Sequence, residues 1–238
     1  MFPDRVVIAT RNPGKVREIL RICADWPVAW VTFQDASWPD VEETGATLVE
    51  NARLKARAVH DATGDLTVAD DTGLEVDALD GAPGVFSSRF AGPAATYDEN
   101  VVKLLALLEG LPPDARRARF RTVAVACLPD GREVMAEGAV DGVITDVRRG
   151  HDGFGYDPVF VPDEGDGRTF AEMTFAEKQA ISHRARAFSA LAAELLGAPR
   201  SERPTSRGGR WARCRPRRRR RRGRGGGDTR RWGRRGRG

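Results

Sequence analysis

Cysteine is scarce in this chain. Cys23, Cys127 and Cys214 are odd in number, far apart and never spaced C-x-x-C. That excludes a disulfide framework and a thiolate zinc site, and it suits a reducing compartment. Histidine is equally rare, and no two of His60, His151 and His183 stand at metal-ligand spacing. Long apolar runs are missing as well. None approaches the ~18 residues of a membrane span, and the residues after Met1 lack the pattern of a signal peptide. The expectation is a cytoplasmic protein with no membrane partner.

Acidic charge is nearly absent from one end. Residues 200–238 hold 18 Arg and no Lys against Glu202 and Asp228, a net of +16, while residues 1–199 carry 21 basic and 32 acidic side chains, a net of −11. The formal charge of +5 thus combines an acidic body with a basic tail. An Arg/Gly segment with few apolar residues cannot bury enough surface to offset its ordering entropy. Residues 200–238 are therefore read as a disordered tail and residues 1–199 as the domain. Arg217 to Arg222 form a run of six, which would bind polyanions non-specifically and with strong salt dependence. A non-functional extension from a shifted reading frame would have the same composition.

What is present alternates between strands and helices. The apolar runs at 6–9 and 66–69 read as strands. Asn12 and Pro13 suit a helix N-cap and first position, with the helix running to about Cys23. Thr47-x-x-Glu50 and Thr96-x-x-Glu99 are capping boxes for helices ending near Gly64 and Gly110. Residues 122–128 and 132–139 around Pro129-Asp130-Gly131 read as a hairpin, with further strands at 143–147 and 159–161. Ser182 predicts a break before a last helix that ends at Leu196. The pattern indicates a mixed α/β fold.

Four stretches carry chemistry. Thr10-Arg11-Asn12-Pro13-Gly14-Lys15 lies at a strand-to-helix turn, where free N–H groups and the helix dipole favour phosphate. It is not a P-loop, because Val16 follows Lys15 where a hydroxyl is required. Asp70-Asp71-Thr72-Gly73 ends the second apolar run, placing two carboxylates at the edge of the sheet where α/β proteins bind ligands. Glu42-Glu43 offers a second acidic pair, and Mg²⁺ typically takes one or two carboxylates plus substrate phosphates. Gly153-Phe154-Gly155-Tyr156-Asp157 combines a yielding backbone with aromatic faces that suit a base. Alone, each stretch also reads as an ordinary capped helix or solvated turn.

Together with Gly81-Ala-Pro-Gly84, Ser88-Arg89, Lys178 and Ser182-His183-Arg184, these stretches resemble the inosine triphosphate pyrophosphatase family, also called dITP/XTP pyrophosphatases. Six motifs follow the family order across nearly all of residues 1–199, and the Arg tail has no counterpart. The resemblance implies an elongated mixed β-sheet with flanking helices in two lobes, an active-site cleft between them, and a homodimer. It implies Mg²⁺-dependent hydrolysis of inosine, deoxyinosine and xanthosine triphosphates to the monophosphate and pyrophosphate, removing deaminated purines from the nucleotide pool. Carried onto this sequence, Thr10 to Lys15 would bind the triphosphate, and Asp71 would be proton acceptor and metal ligand. Glu42 would be the other carboxylate near the metal, with adjacent Glu43 as the alternative. Thr72, Phe154, Gly155, Tyr156, Asp157, Lys178, His183 and Arg184 would contact the substrate.

The scheme is in-line attack of water on the α-phosphorus, with Lys15 and Lys178 stabilising the leaving pyrophosphate. A carboxylate bound directly to Mg²⁺ is a poorer base, so either Asp71 meets the metal through water or the metal itself activates the water. Arg184, a donor only, suits the O6 of hypoxanthine or xanthine and not the amine of adenine. A pyrophosphatase for other modified nucleotides, such as methylated pyrimidines, is the competing enzyme reading. Nucleic-acid binding through the tail is the competing non-enzyme one.

Overall fold

The first apolar run becomes β1 (Arg5–Ile8). Val6 and Ile8 point to one side of it, and Val7 and Ala9 to the other, the period-two alternation of a pleated strand. A computed structural model describes residues 3–196; the tail at 200–238 lies outside the described residues. The other strands are β2 (Ala29–Val31), β3 (Leu66–Val76), β4 (Pro83–Gly84), β5 (Arg117–Cys127), β6 (Glu133–Ile144) and β7 (Phe160–Pro162). They form one sheet in the order β2-β1-β3-β5-β6-β7, with β4 on β3. The pairings of β1 are parallel and all the others antiparallel. The expected mixed α/β fold is the one found.

Five α-helices are described. In α1 (Pro13–Ile22) the Asn12 side chain accepts from the N–H groups of Gly14 and Lys15. Capping boxes open α2 (Leu48–Thr63) at Thr47/Glu50 and α3 (Tyr97–Leu107) at Thr96/Glu99. As expected, Ser182 is extended (φ −71°, ψ 149°) between α4 (Phe175–Ile181) and α5 (His183–Leu196). Its hydroxyl accepts from the N–H of Ala185, capping the last helix.

Several boundaries differ from the sequence reading. The hairpin strands are longer, and of the separate strand expected at 143–147 only residues 143–144 are strand, as the end of β6. The second half of β5 is buried on both faces, but outward Arg117, Arg119 and Arg121 alternate with buried residues in its first half. Those arginines pair with Asp163, Asp141 and Glu137, so charge hid the strand from a search for apolar runs. Strands β2 and β4, of three and two residues, went unread.

The apolar residues collect in two places. One pair of cores sandwiches β1 and the first half of β3, with α1 and α5 on one face and α2 on the other. The other core gathers Leu74 and Val76 of late β3, Leu104 of α3, and Phe120, Phe160 and Phe170. These are the two lobes, and between them β3 carries its polar middle.

Candidate active site

Strand β3 does not stop at the acidic pair. It runs on to Val76, so Asp70 and Asp71 lie mid-strand, held by an unbroken antiparallel register with β5 from Thr67↔Cys127 to Val76↔Ala118. The open edge belongs to the other side of β3. There β1 pairs only as far as Ile8↔Val68, and β4 takes over at Leu74↔Gly84. Between those points no described strand covers β3, and the gap at the end of β1 is the cleft.

The pleat sends the two carboxylates to opposite faces. Asp70 is completely buried. Its Oδ2 lies 3.2 Å from Lys15 Nζ and accepts from Arg184 Nε and Nη2 at 3.2 Å each and from the Thr72 hydroxyl at 3.0 Å. Asp71 faces α2, where Lys55 Nζ is 3.0 Å from Oδ1 and Asn51 donates to Oδ2 at 3.4 Å. The same Lys55 ammonium bonds Glu43 at 2.7 Å, and Arg89 is 3.7 Å from that carboxylate. Glu42 is exposed and lies outside the cleft lining, whereas Glu43 is part of it.

Thr10, Asn12 and Lys15 line the cleft, while Arg11, Pro13 and Gly14 do not. Arg11 turns to the carbonyl of Trp38 and to Asp40. The helix N-terminus is already satisfied. Asn12 N–H bonds the Thr10 hydroxyl, Gly14 and Lys15 bond the Asn12 side chain, Val16 bonds the Asn12 carbonyl, and Pro13 has no N–H. The expected free amides are absent there. The cationic donor at this end is Lys15, whose pKa burial pushes down while Asp70 pulls it up.

At the other end, Gly153 (φ 77°) turns the chain so that Phe154 N–H donates to Asp157 Oδ2 at 2.8 Å. Lys178 is clamped by that carboxylate and by Glu18, at 2.7 Å each. Its ammonium and the Arg184 guanidinium lie 5.6 and 5.5 Å from the Phe154 ring centroid. Arg184 spends its five N–H donors closely: Nε and Nη2 on Asp70 and Thr72, one of Nη1 on Glu18, leaving a single Nη1 hydrogen. Thr72, Phe154, Gly155, Tyr156, Asp157, Lys178, His183 and Arg184 all line the same cleft as Asp71 and Lys15.

The sequence profile of the Ham1 family matches residues 6–194. The chain belongs to the Ham1 family. It is 46% identical over 193 residues to a dITP/XTP pyrophosphatase of Thermoanaerobacter sp. (strain X514), covering 81% of this chain and 96% of that one. Over 199 residues it is 46% identical to a dITP/XTP pyrophosphatase of Streptomyces coelicolor, covering 81% and 99%. A solved HAM1 protein from Coxiella burnetii superposes with a TM-score of 0.73 at 40% identity, covering 82% of this chain and 99% of that one.

In this Ham1 chain the electrostatics separate the two aspartates. Burial drives the pKa of Asp70 up, but Lys15 and Arg184 outweigh it and hold the carboxyl well below the usual range. For Asp71 burial wins over Lys55, and the pKa sits above that of an ordinary aspartate. Asp70 is thus a fixed anion, and Asp71 the better proton acceptor. His183 is neutral, its pKa pushed well down by burial and by Arg184. The Asp71–Lys55–Glu43 arrangement also tests the metal expectation. Asp71 and Glu43 converge on the Lys55 ammonium, and no cluster of three or more metal-binding side chains occurs among the described residues. An all-oxygen pair completed by phosphates is a donor set that suits Mg²⁺.

Sequence reading missed Lys55, Asn51 and Glu18, and also Thr122, whose hydroxyl lies 2.7 Å from that of Thr72 and 2.6 Å from His183 Nδ1. The first two carried a readable signal. Leu48, Ala52, Ala56 and Val59 make the apolar stripe of α2, and Asn51 and Lys55, one turn apart, break into it as buried polar residues.

Proposed function

We propose that this cleft hydrolyses inosine, deoxyinosine and xanthosine triphosphates to the nucleoside monophosphate and pyrophosphate. The observation that carries the reading is Asp71, a carboxylate with a raised pKa beside a lysine and a second carboxylate, in one cleft with Lys15, Phe154 and Arg184. Nucleotide pyrophosphatase chemistry is what the relatives' names give, and the arrangement supports it.

Lys15, Thr10 and Asn12 bind the triphosphate, with Lys15 stabilising charge on the leaving pyrophosphate. Asp71 takes the proton of the attacking water as it approaches the α-phosphorus in line. Lys178 belongs to the base end, because Glu18 and Asp157 hold it against Phe154 and away from the phosphates. Phe154 supplies the stacking face, worth about 1–3 kcal/mol in comparable sites. Arg184 directs its remaining N–H at O6, which an adenine amine cannot accept. Glu43, and Asp71 through water so that it stays basic, would hold a Mg²⁺ whose charge offsets that of the phosphates; that Glu43 lines the cleft and Glu42 does not supports this choice. The enzyme works as a homodimer in the cytoplasm, and residues 1–199 suffice for activity, with the Arg-rich tail an appendage that binds polyanions at most non-specifically.

The test is a panel of ITP, XTP, GTP, ATP and methylated pyrimidine triphosphates, with Mg²⁺ and with EDTA, and with products identified. Mg²⁺-dependent pyrophosphate release from ITP and XTP, with slow turnover of GTP and ATP, is expected from the full chain and from residues 1–199. Preference for methylated pyrimidine triphosphates would replace this reading with the competing one.

A further inference from the structure

A line of hydrogen bonds runs from Asp70 to His183, and its direction is fixed at one end. Asp70 is ionised between Lys15 and Arg184, and a carboxylate only accepts. The Thr72 hydroxyl therefore donates to Asp70 Oδ2 at 3.0 Å. With that proton used, Thr72 Oγ1 is the acceptor for the Thr122 hydroxyl at 2.7 Å, and it also takes an N–H of Arg184 at 3.1 Å. Thr122, its own proton used in turn, accepts from His183 Nδ1 at 2.6 Å. The imidazole proton thus sits on Nδ1, leaving a lone pair on Nε2. The ring is stacked on Phe120 with centroids 4.6 Å apart, and burial keeps it neutral. Nε2 has no hydrogen-bond partner among the described residues, and His183 lines the cleft beside Arg184 and Phe154.

We propose that Thr122 is a positioning residue for base selection, fixing His183 as the Nδ1–H tautomer so that Nε2 accepts the ring N1–H of a 6-oxopurine. This inference rests on the reading that the cleft takes 6-oxopurine triphosphates. Such a base presents the O6 acceptor beside an N1–H donor; adenine presents an amine donor beside an N1 lone pair. The free Nη1 hydrogen of Arg184 and Nε2 of His183 form a donor beside an acceptor. They complement the first edge and oppose the second at both positions. Guanine shares the N1–H and O6 edge, so this device does not act on it, and its exclusion has another origin.

The test combines NMR of ¹⁵N-histidine-labelled protein with kinetics of Thr122→Val and Thr122→Ser. Only three histidines contribute imidazole signals. At neutral pH, His183 is expected to be protonated on Nδ1 alone in the wild type and in Thr122→Ser, and to lose that preference in Thr122→Val. The ITP-over-ATP ratio of kcat/KM should fall about tenfold in Thr122→Val, the size of one neutral hydrogen bond, and return in Thr122→Ser. The ITP-over-GTP ratio should stay constant. An Nε2–H or doubly protonated His183 in the wild type would overturn the proposal, as would an unchanged ITP-over-ATP ratio in Thr122→Val. Absence of ITP turnover by the wild type would overturn the activity itself and the base-reading role with it. The NMR result would still decide the tautomer.

Discussion

Asp70 and Asp71 face opposite sides of β3, and each has its own lysine. Their replacement by asparagine should therefore have different consequences. Asp70→Asn leaves Lys15 and Arg184 buried with too little negative charge, and breaking a buried pair costs about 3–5 kcal/mol. Its urea midpoint should drop accordingly. Asp71→Asn removes a carboxylate that burial already disfavours and leaves Lys55 paired with Glu43, so its urea midpoint should drop less than that of Asp70→Asn while kcat falls about 10²–10⁴-fold. Equal destabilisation by both changes would refute the separation of roles. Lys55 supplies a further check. As a cation beside Asp71 it lowers that pKa, so Lys55→Met should raise it. Activity needs the ionised carboxylate, so the acidic limb of the kcat–pH profile should move to higher pH. A shift to lower pH would contradict the assignment of Asp71 as proton acceptor.

At the scale of elements, the site depends on how the first turn of α5 is set against the sheet. Gly138 of β6 lies against that turn. A Cβ there would stand 2.2 Å from the carbonyl oxygen of His183 and 2.5 Å from the Ala187 nitrogen. Gly138→Ala would push away the turn that holds His183 and Arg184, an overpacking that typically costs about 1–3 kcal/mol. Thermal unfolding should show that loss, and the ITP-over-ATP ratio should fall more than the turnover of ITP. A variant with wild-type melting and selectivity would show the contact to be dispensable. Such a contact was not legible in the sequence, because it joins residues 45 positions apart. What could be read was local. Asn12, Thr47, Thr96 and Ser182 cap helices through their own neighbours, and each was found where expected. The course of β3 could not be read, since Asp70, Asp71 and Thr72 break its apolar run and only the pairing with β5 carries it to Val76. The pairing of Glu43 with Lys55 likewise could not be read, since Lys55 lies on another element.

For the whole molecule, the buried charges predict how stability changes with pH. His183 titrates at about 6.5 when unfolded, but burial and Arg184 push its folded pKa well down. As pH falls below about 6.5, the unfolded chain binds a proton that the folded one refuses, so stability should decline. Asp70 acts in a lower window. Its depressed folded pKa contributes stability above the unfolded value of about 3.9, which is lost only on further acidification. Denaturation at several pH values between 7.5 and 5 should show the decline in the wild type and a shallower one in His183→Gln. Identical slopes would mean that His183 is protonated in the folded protein.

The central claim is that water attacks the α-phosphorus of a 6-oxopurine triphosphate in the cleft built around Asp71. Hydrolysis of ITP in H₂¹⁸O, with both products examined by mass spectrometry, tests it most directly. The account predicts one ¹⁸O in the monophosphate, none in the pyrophosphate, and neither product at an appreciable rate from Asp71→Asn. Label in the pyrophosphate, or release of orthophosphate in its place, would contradict it.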